Sequence, residues 1–144
     1  MYFLVTLIIF AFVFSPSRAL HCQQEINYCT FEPPKGGPAD QVSGKVEFNQ
    51  LTDCSVRVAG QFLSTLKYPL NPSYYNFFVI ESLAARNTPI YNFDFCLGKQ
   101  IDIPFACNIP AGNISYSYLA GNLCALMRRD FNNSIVNGTA PIKQ

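Results

Sequence analysis

The residues of this chain that could do chemistry are few and far apart in the sequence. Three carboxylates, Glu81, Asp94 and Asp102, fall on predicted strands, and a pair of them at a suitable separation could cleave a glycoside. Nothing in the sequence fixes that separation, and the 144 residues contain no Trp to hold a sugar. We therefore interpret the three carboxylates as solvated strand faces or strand ends.

The single histidine, His21, restricts acid–base and metal chemistry. Serine hydrolysis needs a general base, but no second histidine and no G-x-S-x-G motif occurs. A mature chain beginning at Leu20 would set the α-amine beside the imidazole as two donors for copper, and a start one residue later would make His21 the first residue. The second histidine that a stronger copper site needs is missing. We interpret His21 as an exposed residue and predict no catalytic residue.

Six cysteines offer a different chemistry. An even number of cysteines in an exported chain indicates disulfides, so three bridges are predicted, although spacing alone does not choose the pairing. Because every cysteine has a possible partner, none is predicted to be a nucleophile. The candidates are Cys22, Cys29, Cys54, Cys96, Cys107 and Cys124.

Export is predicted from the beginning of the chain. An unbroken apolar run over residues 2–14 is followed by Pro16 and the small-residue site around Ala19, the pattern of a signal peptide over residues 1–19. The run is shorter than the ~20 residues of a membrane-spanning helix, although a retained anchor is the alternative. We expect residues 20–144 to form one secreted, extracellular domain that is not an integral membrane protein.

Three sequons fit the same compartment and make the protein a predicted glycoprotein. They begin at Asn113, Asn132 and Asn137, whereas Asn71 is followed by a proline that disqualifies it.

Charge excludes two classes of partner. Removing Arg18 with the signal peptide leaves nine Lys or Arg residues against nine Asp or Glu residues. Nucleic acid is a poor partner because phosphate binding needs clustered cations, and the same neutrality argues against attachment to anionic membranes.

The elements that must position these residues are predicted to be strands. Apolar residues recur at every second position rather than at helical spacing, which indicates seven or eight short strands in an all-β sandwich or small barrel. Predicted inward residues are Val42, Gly44, Val46 and Phe48 in one strand and Val56, Val58, Gly60 and Phe62 in the next. Further strands are predicted at 74–81, 90–95, 99–105, 114–119, 122–128 and within 132–142.

The stretch Tyr74–Glu81, "YYNFFVIE", is apolar on both alternating faces and therefore needs cover on both. We predict that the segment "LKYPLNPSYY", residues 66–75, overlays the second face. A binding face for a ligand or partner is the alternative.

Residues 42–81 resemble a known family. The order "VSGKVEFNQ", "CSVRVAGQF" and "YNFFVIE" is similar to the first strands of Cu/Zn superoxide dismutase, which lead into a metal-binding G-F-H-V-H-E motif. The resemblance implies a Greek-key β-sandwich. It places the two copper-binding histidines of the family at Phe78 and Ile80, whose side chains cannot bind a metal, so the metal site is predicted to be lost.

A second resemblance lies in residues 96–118. "CLGKQIDIPFACNIPAGNISYSY" is similar to the disulfide hairpin of the ML lipid-recognition family, whose secreted β-sandwiches hold a lipid between their sheets. Asn108 stands where that family usually has proline, and few residues follow Cys124.

These observations predict a small secreted, disulfide-stapled Greek-key β-sandwich of superoxide dismutase-like type without enzymatic activity or cofactor. It would act as an extracellular binding or structural module for an unknown macromolecule. A lipid-binding or lipid-transfer protein is the first alternative, and retained metal-dependent dismutase activity is the second.

Overall fold

The computed structural model describes residues 21–32, 42–63, 71–82, 89–129 and 134–144. Within these ranges the chain forms strands and three single-turn 3₁₀ helices, so the all-β prediction is confirmed. The strands are β1 Glu25–Phe31, β2 Ser43–Gln50, β3 Val56–Leu63, β4 Tyr75–Ile80, β5 Pro89–Asn92, β6 Phe105–Ile109, β7 Leu123–Arg129 and β8 Ser134–Pro141. The 3₁₀ helices are Pro72–Tyr74, Asp94–Cys96 and Tyr116–Tyr118. None of the helices in these ranges is long and apolar enough to span a bilayer.

The strands form two antiparallel four-stranded sheets. Sheet A has the order β1-β2-β3-β6, and sheet B has the order β5-β4-β7-β8. One hydrophobic core takes residues from both sheets, including Phe48 and Val58 from sheet A and Phe77 and Leu126 from sheet B. The two sheets therefore pack face to face as a sandwich.

The alternation predicted for β2 and β3 is confirmed. Val46, Phe48 and Val58 are fully buried, while Lys45 and Arg57 on the opposite face are exposed. Such alternation is typical of a sheet with one face in the core and one in water.

Two glycines of these strands meet the neighbouring backbone. Gly44 has a φ of 148°, and a Cβ there would collide with the carbonyl oxygen of Gln61. A Cβ on Gly60 would lie 2.5 Å from the carbonyl oxygen of Lys45. Both positions of the "VSGKV" and "VRVAG" patterns are therefore closed to larger residues by the close approach of β2 and β3.

Aromatic rings fill the space between the sheets. Phe62 lies 5.5 Å from Phe77 and 5.7 Å from Phe105 between ring centroids. Phe93 lies 5.5 Å from Phe48 and 5.7 Å from Phe77. Centroid separations of this size are those of rings in contact, and each buried Phe contributes about 1.5–3 kcal/mol.

Three disulfides join the six cysteines, as predicted. Cys29 in β1 bonds to Cys124 in β7, which ties sheet A to sheet B through the core, and both residues are fully buried. The other two pairs are Cys22–Cys54 and Cys96–Cys107. Each bridge stabilises the fold by about 2–4 kcal/mol by restricting the unfolded chain.

One edge of the sandwich is also joined by backbone hydrogen bonds. The amide of Tyr28 in β1 donates to the carbonyl of Lys143, and the amide of Lys143 donates to the carbonyl of Tyr28, both at 2.8 Å. The residues after β8 thus extend sheet pairing from sheet B to the outer strand of sheet A.

Two predicted strands are wrong. Residues 99–104 form turns, and only Phe105 of the predicted 99–105 strand belongs to β6. Pro104 has no amide hydrogen to donate to a ladder. Residues 114–119 hold the 3₁₀ helix Tyr116–Tyr118 instead of a strand. The predicted 90–95 strand is shorter, because a 3₁₀ helix begins at Asp94.

Strand β1 was not predicted, because its inward positions do not all read as apolar. Asn27 is 1% exposed and occupies the same face as Cys29 and Phe31. A buried polar residue interrupts the alternation that identifies a strand in sequence.

Candidate functional site

The two faces of β4 enter different apolar clusters. Tyr75, Phe77 and Val79 belong to the main core, whereas Phe78 and Ile80 face the other way. Phe78 is 5% exposed, and Ile80 is 4% exposed. Phe78 and Ile80 on the second face of "YYNFFVIE" are therefore buried, as the sequence predicted, whereas Tyr74 at the start of that face is exposed.

We call the second apolar group the outer cluster. It consists of Phe78, Ile80 and Ala125, with the partly buried Leu123 and Met127 packed against it. Apart from the sulfur of Met127, the side chains of the outer cluster are hydrocarbon. Positions 78 and 80, to which the dismutase resemblance assigns the copper ligands, both belong to it.

Half of the predicted overlay of this face falls outside the described residues. Residues 66–70 of the segment lie outside them. Of the remainder, Tyr74 is 41% exposed in the 3₁₀ helix that precedes β4.

Metal-binding side chains do not come together in the part of the chain that the structure describes. No group of three or more His, Cys, Asp or Glu side chains is placed there to hold a metal ion. His21 is exposed at the start of the described chain. All six cysteines are bonded to one another.

Asp94 has a structural role. Its Oδ1 accepts a hydrogen bond of 2.7 Å from the amide of Phe77, and its Oδ2 accepts one of 3.2 Å from the side-chain amide of Asn92. These bonds tie the 3₁₀ helix after β5 to the inner strand β4.

The other two candidate carboxylates lie elsewhere. Glu81 is exposed just after the end of β4. Asp102 is half-buried in the loop before β6, where its backbone carbonyl accepts a 2.9 Å bond from the side-chain amide of Gln61. Its Oδ1 is buried, without a hydrogen-bond partner among the described residues.

One of the three sequons lies in a described surface turn. Asn113 is exposed, and its amide donates to the carbonyl of Pro110 at 3.2 Å. Gly112 supplies the positive φ of 86° that this turn requires. Asn132 lies outside the described residues, and Asn137 lies in β8 beside the register shift opposite Leu126 and Met127. Glycosylation of all three stays a prediction.

Arg128 lies near the end of β7. Arg128 is only 6% exposed and pairs with Tyr75 across the β4–β7 ladder. Burial raises the pKa of the Tyr75 hydroxyl, and the positive charge of Arg128 lowers it in part. Asp130, which follows in the sequence, lies outside the described residues.

A second tyrosine is buried where the loop before β7 meets sheet A. The Tyr116 hydroxyl donates a 3.0 Å hydrogen bond to the carbonyl of Phe48. Burial raises the pKa of this hydroxyl. The bond fixes the 3₁₀ helix Tyr116–Tyr118 against the inner face of β2.

The outer face of sheet A carries a groove that the sequence did not reveal. We call it the sheet A groove. Its volume is about 480 Å³, and it is shallow and widely open to solvent. It is lined by Lys45, Glu47, Arg57, Ala59, Gly60, Gln61, Pro104, Phe105 and Ala106.

Strand register explains the shape of the groove. Glu47, Ala59 and Ala106 are paired side by side across β2, β3 and β6. Two alanines next to each other leave a low floor. The pair Lys45 and Gln61 lies two residues along the strands in one direction, and Arg57 lies two residues along in the other.

The charges of the groove are partly compensated. The Nζ of Lys45 lies 2.9 Å from the Oε1 of Glu47 and 5.0 Å from the centroid of the Tyr28 ring. Arg57 is exposed and forms no ion pair with another described residue. One guanidinium is therefore left to face solvent at the end of the groove.

Comparison of the chain with models of protein families, with curated proteins and with solved structures finds no match. The class of protein is thus defined by its own architecture, an all-β sandwich with three disulfides.

Proposed function

We propose that this protein is a secreted, non-catalytic β-sandwich of superoxide dismutase-like type that serves as an extracellular binding module. The observation that carries the proposal is the burial of Phe78 and Ile80 in the outer cluster. These are the positions of the copper-binding histidines in the resembling family. A Phe and an Ile there have no lone pair to offer a metal, and their burial against Ala125 stabilises the sheet.

The strand order supports the Greek-key part of the proposal. In sheet B, β7 returns to the side of β4 although β5 and β6 lie between them in the sequence. In sheet A, β6 lies beside β3, although β4 and β5 come between them in the sequence. In a Greek key the fourth of four successive antiparallel strands returns to the side of the first, which is the position of β7 relative to β4.

The disulfides support the extracellular part. Every cysteine of the chain is paired, and one pair crosses the core. Such bridges form and persist in oxidising compartments. They stabilise a small domain there by restricting its unfolded chain.

One observation favours a lipid carrier as a second candidate. Cys96 bonds to Cys107, as the resemblance to the ML disulfide hairpin implies. A lipid carrier needs an apolar cleft between its sheets, however, and here Phe62, Phe77 and Phe93 meet in that space. The packed rings favour the binding module.

Secretion of the full chain from a eukaryotic host, followed by native mass spectrometry and a superoxide dismutation assay, tests the proposal. We expect a mature chain that begins at Leu20, is six hydrogens short of the reduced mass, carries no lipid and has no dismutase activity after incubation with copper and zinc. The Phe78→His and Ile80→His double variant serves as a control and should be equally inactive. A co-purified lipid mass, dismutase activity of the unmutated protein or retention inside the cell would overturn the proposal.

A further inference from the structure

The sheet A groove is longer than its main volume. A second groove of about 370 Å³ continues along the same face and shares Lys45 and Gln61 with the first. Its far end is lined by Ser43 and Leu63, a pair of neighbours across β2 and β3. Because β3 advances ~3.3 Å per residue, the distance from Arg57 to Leu63 is about 20 Å. An extended chain of about seven residues fits this length.

The chemistry of the groove changes along its length. At one end stands the exposed Arg57, paired across the strands with Asn49 and Asn108. In the middle lie the small floor residues Ala59 and Ala106. At the other end Leu63 is 55% exposed. The surface thus presents a cation, then a low floor of alanines beside Glu47, then the polar pair Lys45 and Gln61, and then an apolar end.

Charge selects the sign of the ligand group. Glu47 is already paired with Lys45 at 2.9 Å, so among the described residues that line the groove Arg57 is the charged side chain without an ion-pair partner. A guanidinium binds a carboxylate through two parallel hydrogen bonds, which adds direction as well as attraction.

The aromatic rings next to the groove favour a peptide over a sugar. The ring of Tyr28 lies beneath the ammonium group of Lys45, and Phe105 is 6% exposed. Tyr28 does not line the groove and the Phe105 ring is buried, so the lining of the groove offers a sugar no exposed aromatic ring. Amide and charged side chains such as Gln61 and Lys45 can bind peptide groups by hydrogen bonds.

We propose that the sheet A groove binds an extended segment of a partner protein with an acidic side chain on Arg57 and small apolar side chains over Ala59 and Ala106. This inference rests on the proposed function, because it names the partner class of the binding module. The floor admits only small groups near the alanines, and the guanidinium sets the direction in which the segment lies.

The test uses the full mature protein and a defined peptide, acetyl-Glu-Ala-Ala-Ala-Ala-Ala-Leu-amide, whose Glu and Leu side chains lie on one face about 20 Å apart when the peptide is extended. Two-dimensional amide NMR should show shifts concentrated at Arg57, Ala59 and Ala106. The peptide with Gln in place of Glu, and the Arg57→Gln protein, should each bind about tenfold more weakly, because a hydrogen bond to a charged group is lost. Lys99→Gln removes an exposed cation that does not line the groove and should leave the affinity unchanged.

Equal affinity for the Glu and Gln peptides, shifts elsewhere on the protein or no shifts at all would overturn the inference. Glucuronate is titrated in parallel, and binding of this acidic sugar in the groove without peptide binding would also overturn it. A protein that is lipid-free and inactive toward superoxide but does not bind the peptide contradicts only this inference. Dismutase activity contradicts the proposed function whatever the peptide does.

Discussion

The outer faces of the two sheets differ although their inner faces share one core. Sheet A turns Lys45, Arg57 and the sheet A groove to solvent. Sheet B buries Phe78, at 5% exposure, and Ala125, at 1% exposure, on its outer side. Strands with alternating polarity are wet on one side, and strands that are apolar throughout are covered on both. Apolar packing thus covers the outer face of sheet B, and the recognition that we propose lies on the outer face of sheet A.

The largest expected effect comes from opening the outer cluster. Phe78→Ala should lower the free energy of unfolding by about 3–5 kcal/mol, because it removes a buried ring and leaves a cavity. Urea denaturation followed by circular dichroism measures the change. Tyr74→Ala, at an aromatic that is 41% exposed, is the control and should cost less than about 1 kcal/mol. Similar losses for the two variants would mean that the outer cluster is not packed.

The same substitution on each face gives the next largest effect. Ala125→Asp places a carboxylate in the outer cluster and should cost about 3 kcal/mol, since a buried charge loses its hydration. Ala59→Asp puts the same group on the half-exposed floor of the sheet A groove, where the cost should stay within about 0.5 kcal/mol. Thermal unfolding of the two variants side by side measures both. Equal unfolding temperatures for the two variants would contradict the difference in burial between the outer faces of the two sheets.

The core between the faces provides a test with pH. Tyr116→Phe removes the hydrogen bond to the Phe48 carbonyl and should cost about 1 kcal/mol near neutral pH. Burial raises the pKa of Tyr116 above its ordinary value of 10.0, so the folded state holds this proton longer than the unfolded state. The stabilisation is complete below pH 10 and is lost as the pH rises through the folded pKa.

Urea unfolding between pH 8 and 11 measures this loss, which should be smaller in Tyr116→Phe than in the native protein. Tyr118→Phe changes a hydroxyl on a residue that is 48% exposed and is the control. The same pH dependence in native protein and Tyr116→Phe would contradict a role for this hydroxyl, although Tyr75 adds a loss in the same direction.

The smallest effect is expected on the wet face. A double-mutant cycle with Lys45→Ala and Glu47→Ala should give a coupling of about 0.2–1 kcal/mol, because an exposed ion pair is weak. The coupling should fall when salt is raised, since both side chains are about half exposed. A coupling that is large and insensitive to salt would show that Lys45 and Glu47 are less hydrated than their exposure indicates.

The sequence predicted the parts of the fold that depend on local alternation. Strands β2, β3, β4 and β7 were found because their inward residues recur at every second position. Strand β1 was not found, because Asn27 faces the core, and residues 99–105 were assigned wrongly because Ile101 and Ile103 alternate in a turn. Spacing did not choose the disulfide pairing, which depends on how distant strands meet.

The candidate sites divide in the same way. Burial of Phe78 and Ile80 could be predicted, since a strand that is apolar on both faces needs two covers. The sheet A groove could not, because its floor exists only when Ala59 and Ala106, far apart in the sequence, are paired across β3 and β6. Residue types at those positions carry no sign of a site until the register is known.

The edge between β1 and the residues after β8 also has a consequence for the order of folding. Cys29 is made 95 residues before its partner Cys124, and Tyr28 pairs with Lys143 later still. During synthesis β1 can pair with β2 early, but its outer edge and its thiol stay open until nearly all of the described chain exists. Contacts this distant slow folding. Until the Cys29–Cys124 bond and the Tyr28–Lys143 pairing have formed, a new molecule can form non-native disulfides or pair through β1 with another copy.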